Sequence, residues 1–465
     1  MEQTKLEYSS IVEVAEILST SLFKLGVELK QNDAERISWV LNRAYRTRNR
    51  IFHNIDHAIG VGESCSPLGQ IAALFHDVVY IQVDRSRIKE LREKFGVFDP
   101  KDSLELTINE NALNDPLAFA LTVLFGFSPG QKIGPFSGIN EFLSAWFAIR
   151  TLEPFLSKNQ LLHIAACIES TIPFRGEEKN PTIFERLASN LSTAATLLNC
   201  EMSENEIENA VFDSVRISNN DIRGFGLEEP EEFIHNSWAL LYESNPSLQS
   251  AFFSIKQYRE ALQKLERFLS GLTPSKVFSQ YKEFPSTATL DRLLLGARSN
   301  LDVGVQYIKA KLLDTAVLEA FADITGGDCP LELFTGPKPK RRESSVVRIE
   351  HFLKWDKISY NQTDKDFRVI RLLNDGRTFR SRFDIKTALF ASYLYQSLDI
   401  ETFEKLYGKA TQFFKREIDA PKFLSLFPDE LINSIGETLI FTARTRSAAI
   451  KMYLATRTHT IRRAG

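Results

Sequence analysis

Apolar residues recur at intervals of three and four along most of the first 336 residues. The segment Ile11–Leu18 has this spacing, which places its apolar side chains on one face of an α-helix. The same spacing predicts further helices at 142–156, 160–170, 184–199, 205–217 and 232–242. Because no alternating apolar and polar series is found before residue 337, the pattern predicts a mainly α fold for this part.

A short buried helix is predicted immediately before the pair His76-Asp77. Ser66 is a residue type that caps helix N-termini, and Pro67 suits the first helical position, which needs no amide hydrogen. An apolar run over 68–75 follows. His76 and Asp77 should therefore lie together at the C-terminal end of a helix.

The C-terminal part of the chain has a different pattern. The runs 367–373 and 377–383 alternate in part, and Asn374-Asp375-Gly376 between them has the composition of a turn. These residues predict one β-hairpin, with helices following from Asp384 onward.

Charge divides the chain into two parts, although the net charge is only −3. Residues 337–465 contain 25 Lys and Arg against 15 Asp and Glu, a balance of +10, whereas residues 1–336 carry −13. The sign changes at residues 335–342, a basic stretch with Pro and Gly of the kind found in linkers. We therefore predict a first domain over 1–336, with its motif-bearing core at 35–245, and a smaller basic domain over 337–465.

Composition indicates a globular protein in a reducing compartment. The hydrophobic fraction is 43% and the charged fraction 25%. No run approaches the ~18 apolar residues that span a bilayer, and the N-terminus lacks the pattern of a signal peptide. The four cysteines are widely spread, without a Cys-x-x-Cys pair. We expect a cytoplasmic protein that does not contact membranes.

Three of the seven histidines fall between positions 53 and 76. His53 and His57 are four residues apart, so on a helix they would share one face. His57, His76 and Asp77 together offer two imidazoles and one carboxylate. Such ligands suit Zn²⁺, Mn²⁺, Fe²⁺ or, with water completing the shell, Mg²⁺.

A catalytic ion needs at least one further protein ligand. Asp221 stands beside Asn219 and Asn220 at the polar end of a predicted helix, and Asp213 lies one or two turns earlier on the same helix. The spacing leaves both aspartates open as the fourth ligand.

These residues resemble the signature of a known superfamily. His57, the pair His76-Asp77 and Asp221 resemble the H…HD…D pattern of HD-domain metal-dependent phosphohydrolases. Three segments resemble motifs of the bacterial predicted phosphohydrolases of that superfamily: 45–57, 75–80 and 219–225.

A specialised branch of the superfamily shares one of these motifs. The segment 53–58 resembles the HNxxHA segment of class I cyclic nucleotide phosphodiesterases. However, 79–81 departs from the further His and the Pro-Gly that follow their second motif, and Gln249, Gln257 and Gln280 give no compelling match to their purine-binding Gln. The resemblance covers residues 1–285, and it does not extend to cyclic nucleotide specificity.

The resemblance implies an HD-domain-like helical bundle that hydrolyses phosphoesters, as a phosphodiesterase or phosphomonoesterase. One or two divalent ions, Mn, Mg, Zn or Fe, would be held by His57, His76, Asp77 and Asp221. A bound ion lowers the pKa of its water, which then attacks phosphorus. The implied substrate is a small phosphoester, of nucleotide type.

Other residues near the motifs are candidates for catalysis and substrate binding. His53 has the reference pKa of a good general acid and matches the first His of the family motif. Arg50 is predicted to pair with a phosphate oxygen, the alternative being a structural ion pair. The predicted substrate-binding residues are Asn54, Tyr80 and Thr171, although for Thr171 a helix stop at Pro173 is sufficient explanation. His163 is predicted to be a core histidine.

Two other functions compete with hydrolysis. The domain would be a regulatory module if it bound a nucleotide or a partner without turnover, but the full set of motif residues argues against this. Residues 337–465 would bind nucleic acid if their basic residues formed a patch. Their Lys and Arg are scattered, which disfavours nucleic acid as a partner.

Overall fold

The computed structural model describes residues 9–83, 106–108, 114–134, 137–175, 181–337, 346–355 and 366–464, and the mainly α fold is confirmed in them. The α-helices are, in chain order, α1 (Ser10–Lys24), α2 (Gln31–Tyr45), α3 (Ile55–Val61), α4 (Pro67–Phe75), α5 (Pro116–Leu124), α6 (Ile139–Leu152), α7 (Lys158–Glu169), α8 (Ile183–Leu197), α9 (Glu204–Asp221), α10 (Pro230–Ser244), α11 (Ile255–Ser270), α12 (Pro274–Val277), α13 (Thr287–Thr325), α14 (Glu332–Thr335), α15 (Phe367–Asp375), α16 (Leu389–Ser397), α17 (Ile400–Phe414), α18 (Ala420–Leu424), α19 (Asp429–Thr442) and α20 (Ser447–Ala464). Short 3₁₀ helices lie at Arg223–Gly226, Pro246–Gln249, Ile349–Phe352 and Arg444–Arg446. Two two-residue strands, β1 (Leu106–Thr107) and β2 (Lys132–Ile133), pair antiparallel with Leu106 opposite Ile133.

The helices predicted from apolar spacing are present. Helices α6, α7, α8, α9 and α10 cover the five predicted segments to within a few residues at each end. Helix α4 begins and ends as predicted, with Ser66 as its N-cap and Pro67 at its first position.

The chain forms two compact units. The first contains residues 1–226 and 273–297, and the second contains residues 227–272 and 298–465. This grouping differs from the division predicted at residue 336, because 227–272 and 298–336 are grouped with the C-terminal residues. Net charge reflects surface composition, whereas a compact unit depends on which helices pack together, so the two need not agree. Most of the predicted linker lies outside the described residues.

Helix α7 is central to the first unit. It packs against α4, α6 and α9, and all but its first three residues are buried. Its N-terminus has a capping box, in which Ser157 and Gln160 each bond the other's backbone amide. His76 directly follows the end of α4, and Asp221 is the last residue of α9. Because both helices pack on α7, these two residues are held close together.

The predicted β-hairpin is wrong. Residues 367–375 form helix α15, and 377–383 contain no strand. The buried side chains in α15 are Val369, Ile370, Leu372 and Leu373, a helical spacing that the partial alternation of the run had obscured. Gly376, predicted to lie in a hairpin turn, instead directly follows the end of α15 with φ of 84°.

Buried polar contacts hold the segment after α15 as a loop. Arg377 is fully buried and donates from Nη1 to Tyr307 Oη at 3.0 Å. Asp384 Oδ2 accepts hydrogen bonds from Tyr258 Oη at 2.8 Å and Trp238 Nε1 at 3.1 Å. Such tertiary bonds give no periodic signal in the sequence, which explains why a strand was predicted here.

In the parts of the chain that the structure describes, every helix is too short or too polar to cross a lipid bilayer.

Candidate metal centre

Helix α3 carries the first of the predicted ligands and is capped by Asn54. The Asn54 side chain accepts a hydrogen bond from His57 N at 2.9 Å and donates one to Ile51 O at 2.7 Å. The first bond satisfies an amide hydrogen that has no partner within the helix. Both ends of the Asn54 amide are thus used locally, and the substrate-binding role predicted for it stays a prediction.

The pair His76-Asp77 follows directly after α4, and Arg50 holds the chain there. Arg50 is 5% exposed and donates from Nη1 to Asp77 O at 2.5 Å and from Nη2 to Val78 O at 3.3 Å. Its guanidinium also lies 5.2 Å from the centroid of the Tyr45 ring. These bonds hold the main chain that carries the His-Asp pair, and the phosphate contact predicted for Arg50 stays a prediction.

Helix α9 carries both aspartates that were open as the fourth ligand, and the structure separates them. Asp213 accepts hydrogen bonds from Ser66 Oγ and from His163, whose Nε2 lies 2.9 Å from Asp213 Oδ2. Asp221, two turns later, lies 3.0 Å from His57 Nε2 through its Oδ1. Asp213 is therefore a structural partner of His163, a buried core histidine as predicted, and Asp221 is the aspartate beside the two ligand histidines.

Four predicted ligands converge on one point. One ligand atom from each of His57, His76, Asp77 and Asp221 lies within 4.8 Å of all the others. His57 Nε2 is 3.8 Å from Asp77 Oδ2, and His76 Nε2 is 2.9 Å from Asp77 Oδ2 and 3.5 Å from Asp221 Oδ1. Ligand atoms bonded to one ion at ~2.0–2.2 Å are themselves separated by about 2.8–3.1 Å in an octahedral shell and by about 3.3–3.6 Å in a tetrahedral one. The observed distances, from 2.9 to 3.8 Å, are close to this range, so the four residues fit a single divalent ion.

The His76 ring is oriented as a metal ligand requires. Its Nδ1 lies 2.8 Å from Ala73 O, so Nδ1 carries the hydrogen and donates it. The other nitrogen, Nε2, is buried without a hydrogen-bond partner, although the Asp77 carboxylate is near. With Nδ1 donating to the main chain and Nε2 facing two carboxylates, His76 can bind a cation through Nε2 once that nitrogen has lost its proton.

Charge at the centre shifts the pKa of three of these groups. Burial alone would lower the pKa of His76, but the negative charges of Asp77 and Asp221 raise it well above its usual value. Burial would raise the pKa of the two carboxyls, but the histidines lower that of Asp77 and bring that of Asp221 down to about 2. The carboxylates therefore stay ionised at neutral pH and attract positive charge, whether a proton or a metal ion.

His53 lies beside the four ligands and outside their set. His53 precedes α3, so the prediction that it shares a helix with His57 is wrong. Asn54 is the N-cap of α3, and the helix begins at the next residue, Ile55. His53 Nε2 is 4.0 Å from Asp77 Oδ2, and its ring centroid is 4.4 Å from that of Tyr80. Tyr80, predicted to bind substrate, thus packs on His53 and supports it next to the centre.

A small cavity adjoins Asp221. It encloses 40 Å³ and has Thr171, Ser218 and Lys276 among its lining residues. Thr171 therefore lies at the site as predicted, but it is 4% exposed and its hydroxyl donates to Ile168 O at 2.8 Å. Thr171 can therefore only accept a hydrogen bond from a ligand, and any hydrogen bond donated to a ligand in the cavity comes from another lining residue.

Sequence analysis missed Glu141 and Lys276. Burial, together with the charges of Asp77 and Asp221, raises the pKa of Glu141 to about 8. Its neighbour on α6, Asn140, accepts a hydrogen bond from Ile81 N at 3.0 Å and so holds the loop that follows Asp77. No spacing relates 141 or 276 to the histidine motifs, because only tertiary packing brings them to the centre.

Comparison of the chain with protein-family models, curated proteins and solved structures gave no match.

Metal affinity is expected to rise with pH. In the metal-free protein the raised pKa keeps His76 protonated at neutral pH, and an ion must displace that proton to reach Nε2. One displaced proton makes the Kd fall by about tenfold per pH unit below the pKa of His76. Calorimetric titration of Mn²⁺ between pH 6 and 8, in buffers of different ionisation enthalpy, measures the Kd and the number of protons released on binding. A flat Kd with no proton release would contradict the assignment of His76 as a ligand.

Proposed function

We propose that this protein is a metal-dependent phosphohydrolase. The observation that carries the proposal is the convergence of His57, His76, Asp77 and Asp221 on one point, with His53 immediately outside their set. A divalent ion bound there would supply a nucleophilic water at neutral pH and neutralise charge on a phosphoryl oxygen. Two imidazoles and two carboxylates suit Mn²⁺, Fe²⁺ or Zn²⁺, and Mg²⁺ with additional waters.

The protein's own groups supply orientation and a proton. Asp77 and Asp221 offset the charge of the cation, and Arg50 fixes the main chain that carries Asp77. His53, packed against Tyr80, stands where an imidazolium can donate a proton to the leaving oxygen of a phosphoester. In this proposal His53 is the general acid, a role that a site binding nucleotides without turnover would not need.

The substrate class we propose is a small, nucleotide-like phosphoester. The family resemblance of the histidine motifs supports this class. Purified protein, stripped of metal and reloaded with Mn²⁺, Mg²⁺, Zn²⁺ or Fe²⁺, should be screened with nucleoside mono- and triphosphates, cyclic nucleotides and nitrophenyl phosphoesters.

Chelation is expected to abolish hydrolysis, and one equivalent of a divalent ion should restore it. The physical reason is that a bound ion would both activate the attacking water and neutralise charge on the phosphoryl oxygens, and a proton on His76 would do neither. Elemental analysis alongside rate measurement checks the loss of activity on chelation and its recovery with one equivalent of the ion. Full activity after chelation would reject a metal-dependent reaction. Stoichiometric binding of a metal and a nucleotide with no turnover of any substrate would indicate a regulatory module instead.

A further inference from the structure

The cavity beside Asp221 is polar and lies within the first unit. Its walls come from the turn after α7, the C-terminal end of α9 and residues 275–279. Asp221 thus belongs to the ligand cluster and also forms part of the cavity wall. A group bound in this cavity would lie next to the metal centre.

The size of the cavity restricts what it can hold. Its volume is 40 Å³, on a measure in which about 10–15 Å³ accommodates one water. There is room for about three waters, which is the space that the oxygens of one phosphate group occupy. Pockets for whole drug-sized ligands begin near ~300 Å³. The cavity therefore suits a phosphate group and excludes a nucleobase or a sugar.

Two cationic side chains, Arg175 and Lys276, line the cavity, and only Arg175 is paired with a carboxylate in the described part of the chain. Arg175 lines the wall, but its guanidinium is held by both carboxylate oxygens and the main-chain oxygen of Glu169. Lys276 is exposed, and within the described residues it has no ion pair or hydrogen bond. The charge that remains for an anionic ligand is therefore that of Lys276.

A hydroxyl group accompanies this lysine. Ser218 precedes Asp221 by three residues on α9, so the two side chains lie on the same face of the helix. Among the described residues, the Ser218 hydroxyl is in no hydrogen bond, so its hydrogen can be donated to a ligand. Thr171 lacks this capacity, because its hydroxyl hydrogen is donated to Ile168 O.

We infer that this cavity is a subsite for a terminal phosphate group, in which Lys276 and Ser218 bind the phosphate oxygens. The inference rests on the proposed function, and it specifies the substrate as a phosphomonoester. A dianionic monoester gains an ion pair with Lys276, while a diester has one charge fewer and a second substituent that the cavity cannot hold. Lys276 and Ser218 are thus specificity-determining residues.

The test is binding of inorganic phosphate to the metal-loaded protein, measured by calorimetry. Lys276→Ala should raise the Kd by about tenfold, and Ser218→Ala by about threefold, because a charge-assisted bond is stronger than a neutral one. Lys276→Arg should restore most of the affinity. Lys24→Ala, which removes an exposed lysine from the end of α1, is the matched control and should leave the Kd unchanged.

Kinetics give a second readout. With nitrophenyl phosphate, Lys276→Ala should raise KM by about tenfold at nearly constant kcat, and with bis-nitrophenyl phosphate KM should change less than twofold. If the wild-type protein hydrolyses neither ester, the proposed function fails, and phosphate binding still decides on the subsite. Equal phosphate affinity in Lys276→Ala and Lys24→Ala, or undetectable phosphate binding by the wild-type protein, would overturn the inference.

Discussion

Replacing Asp77 with Ala is expected to remove both the bound metal and the hydrolytic activity. Asp77 Oδ2 lies 2.9 Å from His76 Nε2 and 3.8 Å from His57 Nε2, so its oxygen faces both imidazole ligands. Its loss removes one of two negative charges that offset the cation and leaves three ligands for the ion. We expect metal stoichiometry near zero, and hydrolysis reduced to the rate without enzyme, by elemental analysis and a phosphoester assay.

The fold should survive this change, which makes the result interpretable. Arg50 binds the main-chain oxygen of Asp77, a contact that does not involve the side chain. The matched control is Asp56→Ala, which removes an exposed carboxylate one residue from His57. This control should keep full metal content and activity. If Asp77→Ala instead retained a full equivalent of metal and its activity, the four-residue centre would be rejected.

Local signals in the sequence were sufficient for most of the first unit. Helix α4 shows why: Ser66, Pro67 and the apolar run after them each specify a helical position by local chemistry alone. His57, His76 and Asp77 could also be predicted as ligands from the sequence, because the spacing of the histidines and the adjacency of His76 and Asp77 are local features. Residues that act through local backbone chemistry can be read from one sequence.

Local sequence signals do not distinguish Asp213 from Asp221 as the fourth ligand. The two residues are eight positions apart on α9, which is a rotation of about 80° around the helix axis. One of them therefore faces His163, and the other faces His57. Only the packing of neighbouring helices determines which histidine each carboxylate meets, and packing has no signature within the segment itself.

Arg50 and Asn54 make hydrogen bonds that the sequence does not predict. The sequence predicts that both contact substrate, with a structural ion pair as the alternative for Arg50. In the structure Arg50 satisfies the main-chain oxygens of Asp77 and Val78, and Asn54 satisfies His57 N. Asn54 makes its bond where the chain enters α3, and Arg50 makes its bonds where the chain leaves α4. A sequence does not show which backbone groups the folded chain leaves without partners.

Replacing His53 with Ala is expected to lower the rate while leaving the metal in place. His53 Nε2 is 4.0 Å from Asp77 Oδ2, and His53 is not among the four residues whose ligand atoms converge. General acid catalysis contributes ~10²–10⁴-fold to rate, so kcat should fall by that factor for a substrate with an alkoxide leaving group. For nitrophenyl phosphate the loss should be much smaller, because nitrophenolate leaves without a proton. Elemental analysis should find unchanged metal content.

Comparing the two leaving groups at equal metal occupancy separates the roles open to His53. A ligand role predicts loss of metal and equal damage for both substrates, since the ion serves every phosphoester alike. His351→Ala, which removes an exposed histidine of the second unit, controls for the loss of an imidazole as such. An equal fractional loss with both substrates at full metal content would reject the general acid. It would leave His53 as a residue that binds phosphate or supports Tyr80, whose ring lies against its own.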